Sequence, residues 1–457
     1  MNFERKIYKK LLDWKENWGG KYAVMIEGAR RIGKSTIAEE FARNEYEDYI
    51  LLDFNKESDD LKDLFVDYLD DLDNFFRRLF VLKGKTLKER KSVIIFDEVQ
   101  RYPLARAAIK YLVQDGRFDY IETGSLISVK KNVKDITIPS EEMKIKMYPM
   151  DFEEFLLARG NKEATLLIRE AFENKKPLGD SMHRRLMTLF REYMAVGGMP
   201  QAVCAFVEGK NFDVIDRIKN EIVNLYEDDL KKNDDNNKAS YIYKSVASQI
   251  GKSKFILSKV DQNARFRDYG DSVAFIDESM ICNVCKNVTD PGLLLELSAE
   301  ENNFKIYMGD IGLLITYLAR NNSLVGNEIY KSIIFDKLSD NLGMVYENVA
   351  SQMLKSMGYE LYFHEFYIQN KVKKENDEDT IRKVKYEIDF LVVKNNKLCP
   401  IEIKSSKSKK HDSFDTFKNK YKLKIQDKYV VHTKDFCVKD GITFIPFYML
   451  LCLDDNE

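Results

Sequence analysis

The first part of the chain alternates short apolar runs with stretches that repeat apolar residues at helical spacing. Residues 22–26 and 93–96 are apolar runs of strand length, and residues 36–42 follow the first run with the spacing of a helix. Continuous apolar strands that alternate with helices are typical of a parallel sheet covered on both faces. The pattern predicts an α/β domain with a parallel sheet over residues 1–155.

Helical spacing dominates residues 156–335, where a Gly-Gly-Met-Pro turn separates two helices. Within this part, residues 255–287 follow the order helix, turn, helix and short strand, which is compatible with a winged helix. We therefore expect a helical, winged-helix-like domain. Five basic residues lie in or beside the segment, and they form either a solvated face or a contact with DNA phosphates: Lys252, Lys254, Lys259, Arg265 and Arg267.

The last part of the chain, residues 336–457, predicts a helix, three strands, a second helix and a further strand. This α-β-β-β-α-β order is the pattern of restriction-endonuclease-like nucleases, so we expect an α/β domain of that kind. The predicted elements are the helix 341–357, the strands 359–366, 385–393 and 398–405, the helix 411–423 and the strand 428–432.

Composition adds limits on the function. The 457 residues are 44% hydrophobic and carry a net charge of −2, so no overall basic field indicates a nucleic-acid partner. No apolar run approaches the roughly 18 residues of a membrane span, and the first residues lack the apolar core of a signal peptide. The six cysteines are scattered. We therefore expect a cytoplasmic protein that does not contact a membrane.

Residues 28–35 read GARRIGKS, a complete phosphate-binding loop between a predicted strand and a predicted helix. In this context the backbone N–H groups of the loop surround nucleotide phosphates, and the helix N-terminus adds positive charge. We expect Lys34 to reach the β- and γ-phosphates and Ser35 to bind Mg²⁺. The loop thus predicts ATP or GTP binding through Gly28, Arg31, Ile32, Gly33, Lys34, Ser35 and Thr36.

Two acids follow the apolar run at residues 93–96, at the edge of the sheet where ligands bind. We expect Asp97 to hold Mg²⁺ through water and Glu98 to polarise the attacking water as a general base. A further strand, residues 118–125, ends in small polar residues, and Ser125 is expected to contact the γ-phosphate.

The C-terminal part contains a second set of charged candidates. Glu402 and Lys404 are two positions apart on one strand, so they share a face, and Asp389 lies on the paired strand. Glu347, on the preceding helix, adds a further carboxylate. These carboxylates predict a Mg²⁺ site, beside which Lys404 stabilises charge on an attacked phosphate. The alternative is an ordinary cross-strand ladder of salt bridges.

The chain resembles the bacterial and archaeal AAA-type ATPases whose second half was catalogued as a domain of unknown function. The matching residues are 28–35, 96–100, 123–125, 148–150, 190–200, 304–314 and 387–404. The resemblance implies a nucleotide-hydrolysing domain, a winged-helix-like middle and a restriction-endonuclease-like end. One departure is the sequence IPSEE at residues 138–142, where the family carries Gly-Arg.

The departure removes an arginine that would sense or stabilise the γ-phosphate. Four arginines of this chain are candidates to replace it, namely Arg30 and Arg31 within the loop and Arg101 and Arg106 beyond Glu98. Without such a replacement, hydrolysis would be slow or would need an arginine from a partner.

Three classes of function stay open. The first is an ATPase whose nucleotide state controls a C-terminal nuclease or DNA-binding module, with DNA as partner. The second is an ATP-dependent switch whose inactive C-terminal domain binds a protein or nucleic acid. The third, a small-molecule kinase, fits poorly because such enzymes are compact single domains. A homo-oligomer or another protein partner stays open in each case.

Overall fold

The computed structural model describes residues 3–125, 140–234, 236–321, 326–334, 343–373, 379–404, 412–421, 425 and 427–454. These residues form a five-stranded sheet in the first part of the chain and an eight-stranded sheet that ends in the last part. Helices pack on both sheets.

The first sheet is parallel throughout, and its strands follow the order β2-β3-β4-β1-β5. Strands β1, β3 and β4 are buried along their whole length, which confirms the predicted parallel α/β sheet. The strands are β1 Ala23–Gly28, β2 Asp48–Asp53, β3 Ser92–Asp97, β4 Asp119–Ser125 and β5 Glu142–Lys146. The helices are Ile7–Trp18, Lys34–Glu45, Asp59–Asp67, Leu72–Lys83 and Pro103–Asp115, with a short 3-10 helix at Val99–Arg101.

The strand order determines which residues meet at the edge of this sheet. Strand β4 lies between β1 and β3, and all three strands run in the same direction. The loop after β1 and the two acids after β3 therefore lie at the same carboxyl edge, with the end of β4 between them.

Helices make up most of the middle of the chain. They are Phe152–Ala158, Lys162–Glu173, Asp180–Val196, Pro200–Val207, Phe212–Asn233, Lys238–Gln249, Phe266–Glu278, Ile311–Asn321 and Gly326–Ile334. The first helix expected after Phe255 is only a 3-10 turn, Leu257–Lys259. The strand that follows is present, but it belongs to the second sheet. The winged-helix interpretation thus stays a prediction.

The second sheet has the order β12-β13-β11-β10-β9-β8-β6-β7. Its strands are β6 Cys282–Val288, β7 Ala299–Met308, β8 Leu361–Lys373, β9 Asp379–Lys394, β10 Lys397–Lys404, β11 Tyr429–His432, β12 Cys437–Lys439 and β13 Ile442–Pro446. Its helices are Gly343–Ser356 and Asp412–Tyr421, with 3-10 helices at Leu295–Ser298 and Phe447–Leu453. The predicted α-β-β-β-α-β order is observed, whereas the likeness to restriction endonucleases stays a prediction.

The second sheet extends across residue 335, where we expected a domain limit. Strand β6 pairs in parallel with β8, from Cys285 opposite Leu361 to Asn287 opposite Phe363. One apolar core also contains residues of all three parts of the chain, including Ile26, Tyr193 and Ile401. The predicted limits at 155 and 335 stay predictions, and the second of them divides this sheet.

The Gly-Gly-Met-Pro turn brings three segments of the chain together at Gly198. Met150 N–H donates to the carbonyl of Gly198 at 2.7 Å, and Gly198 N–H donates to the Asp310 carboxylate at 2.6 Å. A Cβ atom at Gly198 would lie 2.0 Å from the Met150 carbonyl oxygen. The turn therefore has no space for a side chain.

We expect Gly198→Ala to lower the free energy of unfolding by about 2–3 kcal/mol, because backbone rather than a flexible side chain must move. Urea unfolding followed by circular dichroism measures the change. Gly292→Ala is the matched control, since a Cβ atom there meets nothing within 4 Å. Equal unfolding midpoints for the two variants would contradict the prediction.

Candidate nucleotide site and charged C-terminal cluster

The phosphate-binding loop folds tightly between strand β1 and the helix Lys34–Glu45. Arg31 and Gly33 adopt the left-handed region, with φ of 66° and 97°. A Cβ atom at Gly28 would lie 2.4 Å from the Met147 carbonyl oxygen, so only glycine fits there. The loop therefore has the tight glycine-dependent shape that the motif predicts.

Lys34 is buried inside the loop and held by its carbonyl groups. Its Nζ donates to Gly28 O at 3.0 Å and to Ala29 O at 2.8 Å. Burial lowers the pKa of Lys34 to about 8, although Glu98 and Asp97 act in the opposite direction. The ammonium group is thus short of anionic partners and positioned at the centre of the loop, as expected of a group that receives a phosphate.

Ser35, Asp97 and Thr123 form a hydrogen-bonded group beside the loop. Ser35 Oγ donates to Asp97 Oδ1 at 2.6 Å, and the Thr123 hydroxyl donates to the same oxygen. A hydroxyl and a carboxylate in contact fit a Mg²⁺ ion, which prefers oxygen ligands. We therefore retain Ser35 and Asp97 as the residues that would hold it.

Glu98 occupies an unusual backbone conformation directly after Asp97. Its φ is 57°, in the left-handed region, which is uncommon for a residue other than glycine. Its N–H donates to Thr123 Oγ1 at 3.2 Å, and its carboxylate accepts from Gln100 Nε2 at 2.6 Å. Thr123 thus holds the backbone of Glu98, and Gln100 orients its half-buried carboxylate.

The sequence analysis did not assign Gln100 to the site. It expected the small polar residues at 123–125 to contact the γ-phosphate, but it did not place Thr123 beside Asp97. Ser125, the residue of this group named for that contact, is buried at the end of β4. Its contact with a γ-phosphate stays a prediction.

Two of the four substitute arginines are already bound to other groups. Arg106 is 1% exposed and makes two hydrogen bonds to Glu142, at 2.8 and 3.0 Å, so it is unsuited to reach a phosphate. Arg30 makes two hydrogen bonds to Asp229, at 2.8 and 2.9 Å. Arg31 and Arg101 are exposed and stay candidates.

The loop is attached to the helix Phe212–Asn233, which carries Asp229 and Tyr226. In addition to the Arg30 pair, Tyr226 OH donates to Arg30 O at 2.7 Å. Arg5 supports the loop from the other side, since it donates to Ile32 O at 2.9 Å. The backbone of the loop is therefore connected directly to the helical part of the chain.

A buried carboxylate connects that helical part to the C-terminal helix Gly343–Ser356. Asp310 accepts from Gly198 N–H at 2.6 Å and from Gln352 Nε2 at 3.2 Å. Ile311 N–H donates to Gln352 Oε1 at 2.7 Å. These contacts therefore join the Gly198 turn to the helix that carries Glu347.

The predicted C-terminal charges lie on neighbouring elements of the second sheet. Lys404 Nζ lies 3.1 Å from Glu402 Oε2, and the Ser413 hydroxyl donates to the other oxygen of Glu402. Asp389 accepts from Ile403 N–H at 2.7 Å. Burial opposes the charge of Lys404, but Glu402 and Asp389 raise its pKa above the ordinary value.

Three residues of this cluster were not predicted: Lys305, Tyr307 and Glu387. Lys305 Nζ lies 2.5 Å from Glu387 and 3.8 Å from Glu347, and Tyr307 OH donates to Glu347 at 3.1 Å. Lys305 and Tyr307 belong to β7, outside the part of the chain where we expected the site. The signal in the sequence was that Lys305 and Tyr307 are two positions apart, which places both side chains on one face of a strand.

The cluster does not fit a metal centre in this arrangement. Among the described residues, no three His, Cys, Asp or Glu side chains are grouped so that they could hold a metal ion. Burial raises the pKa of Glu347 to about 7, with Lys305 opposing the shift and Asp389 adding to it. Metal binding by Glu347, Asp389 and Glu402 therefore stays a prediction.

Three family descriptions match successive parts of the chain. Residues 20–156 match the family described as AAA domain. The first part of the chain is therefore similar in sequence to AAA domains, and its five-stranded parallel sheet is consistent with a P-loop fold. Residues 187–324 and 342–450 match two domains of unknown function, DUF8612 and DUF4143. The family matches assign no activity to either of these parts.

Solved structures similar to this chain include a Walker-type ATPase of Pyrococcus abyssi, with 14% identity and a TM-score of 0.40 over 69% of this chain and 96% of that one. A signal transduction ATPase with a tetratricopeptide repeat sensor, from Pyrococcus horikoshii, has 12% identity and a TM-score of 0.23 over 78% and 63% of the two chains. These scores are too low to support an argument. No curated protein matches the sequence.

No helix among the described residues is both long and apolar enough to cross a membrane.

The lowered pKa of Lys34 predicts that ATP binding weakens above about pH 8. Bound phosphate favours the ammonium form, so binding at higher pH must take up a proton, and the dissociation constant should rise by up to about tenfold per pH unit. Titration calorimetry between about pH 7 and pH 9.5 measures this. Lys34→Arg, which stays charged, should bind with little pH dependence. Wild-type affinity that stays constant across this range would contradict the prediction.

Proposed function

We propose that the protein binds and hydrolyses ATP and that its nucleotide state controls a C-terminal module directed at DNA. The observation that carries the first half is the hydrogen-bonded group of Ser35, Asp97 and Thr123 beside the buried Lys34. These groups lie together at the carboxyl edge of a parallel sheet, where nucleotide phosphates bind in such folds.

In this proposal, each side chain has one task. Lys34 exchanges its two carbonyl acceptors for phosphate oxygens, and the loop N–H groups bind the remaining phosphate charge. Glu98, oriented by Gln100, accepts a proton from the attacking water. Mg²⁺, when bound at Ser35 and Asp97, would neutralise charge on the phosphates. Arg31, Arg101 or an arginine of a partner molecule would stabilise the transferring phosphoryl group.

The contacts from Arg30 to Asp229 support transmission of the nucleotide state to the rest of the chain. Nucleotide binding acts directly on the loop, and this ion pair, with the Tyr226 hydrogen bond, connects the loop to the helix Phe212–Asn233. Asp310 then connects Gly198 with Gln352 on the C-terminal helix. Two sites are coupled when a ligand at one of them favours one arrangement of such contacts.

We expect Asp229→Asn to weaken any effect of ATP on the C-terminal module while ATP binding itself changes less than about threefold, because Asp229 contacts the loop and not the phosphates. The ratio of DNA affinities with and without ATP measures the coupling. Asp228→Asn, an exposed neighbour on the same helix, is the matched control. If the ratio of DNA affinities is unchanged in Asp229→Asn, the Arg30–Asp229 ion pair does not contribute to the coupling.

Two features support DNA as the partner. Lys252, Lys254 and Lys259 are exposed next to the strand that carries Lys305, and exposed lysines favour contact with phosphates. Lys404 lies beside the buried carboxylate of Glu402, where it could stabilise charge on a phosphate. The module would then act either as a nuclease or as a binding domain.

The alternative is an ATP-dependent switch whose C-terminal domain binds protein or nucleic acid without cleaving it. This alternative is favoured by the protein donors that the cluster carboxylates already have. Glu347 accepts from Tyr307, Glu387 pairs with Lys305, and Glu402 pairs with Lys404.

The deciding experiment is an assay of labelled single- and double-stranded DNA with Mg²⁺ or Mn²⁺, with and without ATP. Wild type is compared with Asp389→Ala, Lys404→Ala and the exposed control Lys439→Ala. Cleavage that is lost in the first two variants alone would establish a nuclease. Binding without cleavage, measured by fluorescence anisotropy, would establish the alternative. If the assays detect neither binding nor cleavage, DNA is excluded as the partner.

A further inference from the structure

Arg5 joins the phosphate-binding loop to the segment that follows β5. Its Nη1 donates to Ile32 O at 2.9 Å, and its Nη2 donates to Tyr148 O at 2.8 Å. Its Nε lies 3.1 Å from Glu154 Oε1. The side chain is only 7% exposed, and it comes from before residue 20, where the match to the AAA domain begins. A buried guanidinium from outside the matched part therefore holds one carbonyl group of the loop.

The contact with Ile32 O also fixes the direction of the next N–H group. A trans peptide is planar, so the carbonyl of Ile32 and the N–H of Gly33 point in opposite directions. Because Arg5 holds the carbonyl, the N–H of Gly33 points away from Arg5. Gly33 has φ of 97° and ψ of 22° and directly precedes the helix Lys34–Glu45. A left-handed residue at such a position presents backbone N–H groups to an anion.

The strand order shows on which side of the loop Arg5 lies. Strand β1 lies between β4 and β5, so the loop that follows it has one strand end on each side. Tyr148, which Arg5 contacts, follows β5. Asp97, which accepts from Ser35, ends β3, and β3 lies beyond β4 on the other side. The N–H of Gly33, which points away from Arg5, is therefore directed to the side of the loop where Asp97 lies.

We propose that Arg5 is a positioning residue for phosphate binding. It holds the carbonyl of Ile32 on the outer side of the loop, so that the N–H of Gly33 is available to a phosphate oxygen. Without Arg5 the peptide is free to turn over, and a carbonyl oxygen that faced the phosphate would repel it. The inference rests on the proposed function, since it requires that the loop binds ATP. It makes the nucleotide site depend on a residue from outside the match to the AAA domain.

The test is calorimetric titration of the full chain with inorganic pyrophosphate and, separately, with ATP. Pyrophosphate has no base or sugar, so its affinity reports on the phosphate contacts alone. In Arg5→Met we expect both dissociation constants to rise by the same factor, about 10- to 100-fold, as for the loss of a hydrogen bond to a charged group. Arg5→Lys, which keeps the charge but not the planar fork of donors, should lie between wild type and Arg5→Met.

Lys6→Met is the matched control, because Lys6 pairs with Asp151 and Glu153 at the start of the same helix and its described contacts do not include the loop. It should leave both dissociation constants unchanged, even where it lowers the melting temperature as much as Arg5→Met does. Thermal unfolding followed by circular dichroism measures that temperature. Arg5→Met leaves the buried Glu154 without the guanidinium. If the variant does not fold, Arg5→Met combined with Glu154→Gln removes that charge and serves for the same comparison.

Two results would overturn the inference while the proposed function stands. One is a wild-type affinity for pyrophosphate in the folded variant that lacks Arg5. The other is an equal loss of affinity in Lys6→Met, because the effect would then come from the stability of the helix start. If wild type itself binds neither ATP nor pyrophosphate, the proposed function fails and the inference fails with it. The wild-type titration thus distinguishes the two failures.

Discussion

Replacement of Lys34 with alanine should abolish ATP hydrolysis, with a loss of at least about 10²–10³-fold in kcat/KM. The reason is that Lys34 is the buried cation of the loop and its two present acceptors are neutral carbonyl groups. Without it, the β- and γ-phosphates lose the side-chain charge that binds them. Release of inorganic phosphate and calorimetric titration with ATP measure turnover and affinity separately.

Lys9→Ala is the matched control for this experiment, since Lys9 is an exposed lysine of the same part of the chain. It should leave both quantities unchanged. Turnover in Lys34→Ala equal to that of the control would remove the assignment of residues 28–35 as the phosphate-binding loop.

Replacement of Glu98 with glutamine should separate binding from hydrolysis. The substitution keeps the size of the side chain and an oxygen that accepts from Gln100, so the local structure and the ATP affinity should change little. It removes the group that takes the proton of the attacking water, and turnover should fall by about 10²–10⁴-fold. Single-turnover kinetics with pre-bound ATP measures the chemical step alone.

Glu89→Gln, an exposed glutamate just before β3, controls for the loss of one negative charge. A Glu98→Gln variant with undiminished turnover would show that another group acts as the base. A variant that lost ATP affinity as well would indicate that Glu98 helps to hold the nucleotide site together.

The fold of the first part could be predicted well because its signals are local. A buried parallel strand is a continuous apolar run, and the phosphate-binding loop occurs between a strand and a helix. The order of the strands is a property of long-range pairing, so the position of Thr123 next to Asp97 became visible only in the sheet. The same limitation applied to Arg106, whose partner Glu142 lies on β5.

The same difference between local signals and long-range pairing explains why only part of the C-terminal cluster could be predicted. Asp389, Glu402 and Lys404 lie on adjacent strands, and their spacing on those strands was sufficient to place them together. Lys305 and Tyr307 join them because β6 pairs with both β7 and β8, and the residues paired between β6 and β8 are 76 positions apart in the chain. Hydrophobic spacing carries no information about such a contact.

The pairing of β6 with β8 also has a consequence for how this part of the chain can be inherited. A fragment that began at residue 336 would lack β6 and β7, and the backbone groups of β8 that bind β6 would become an open edge prone to self-association. Recombination between related genes at a point between β7 and β8 would pair β8 of one parent with β6 of the other. Lys305 and the carboxylates near it would then come from different parents.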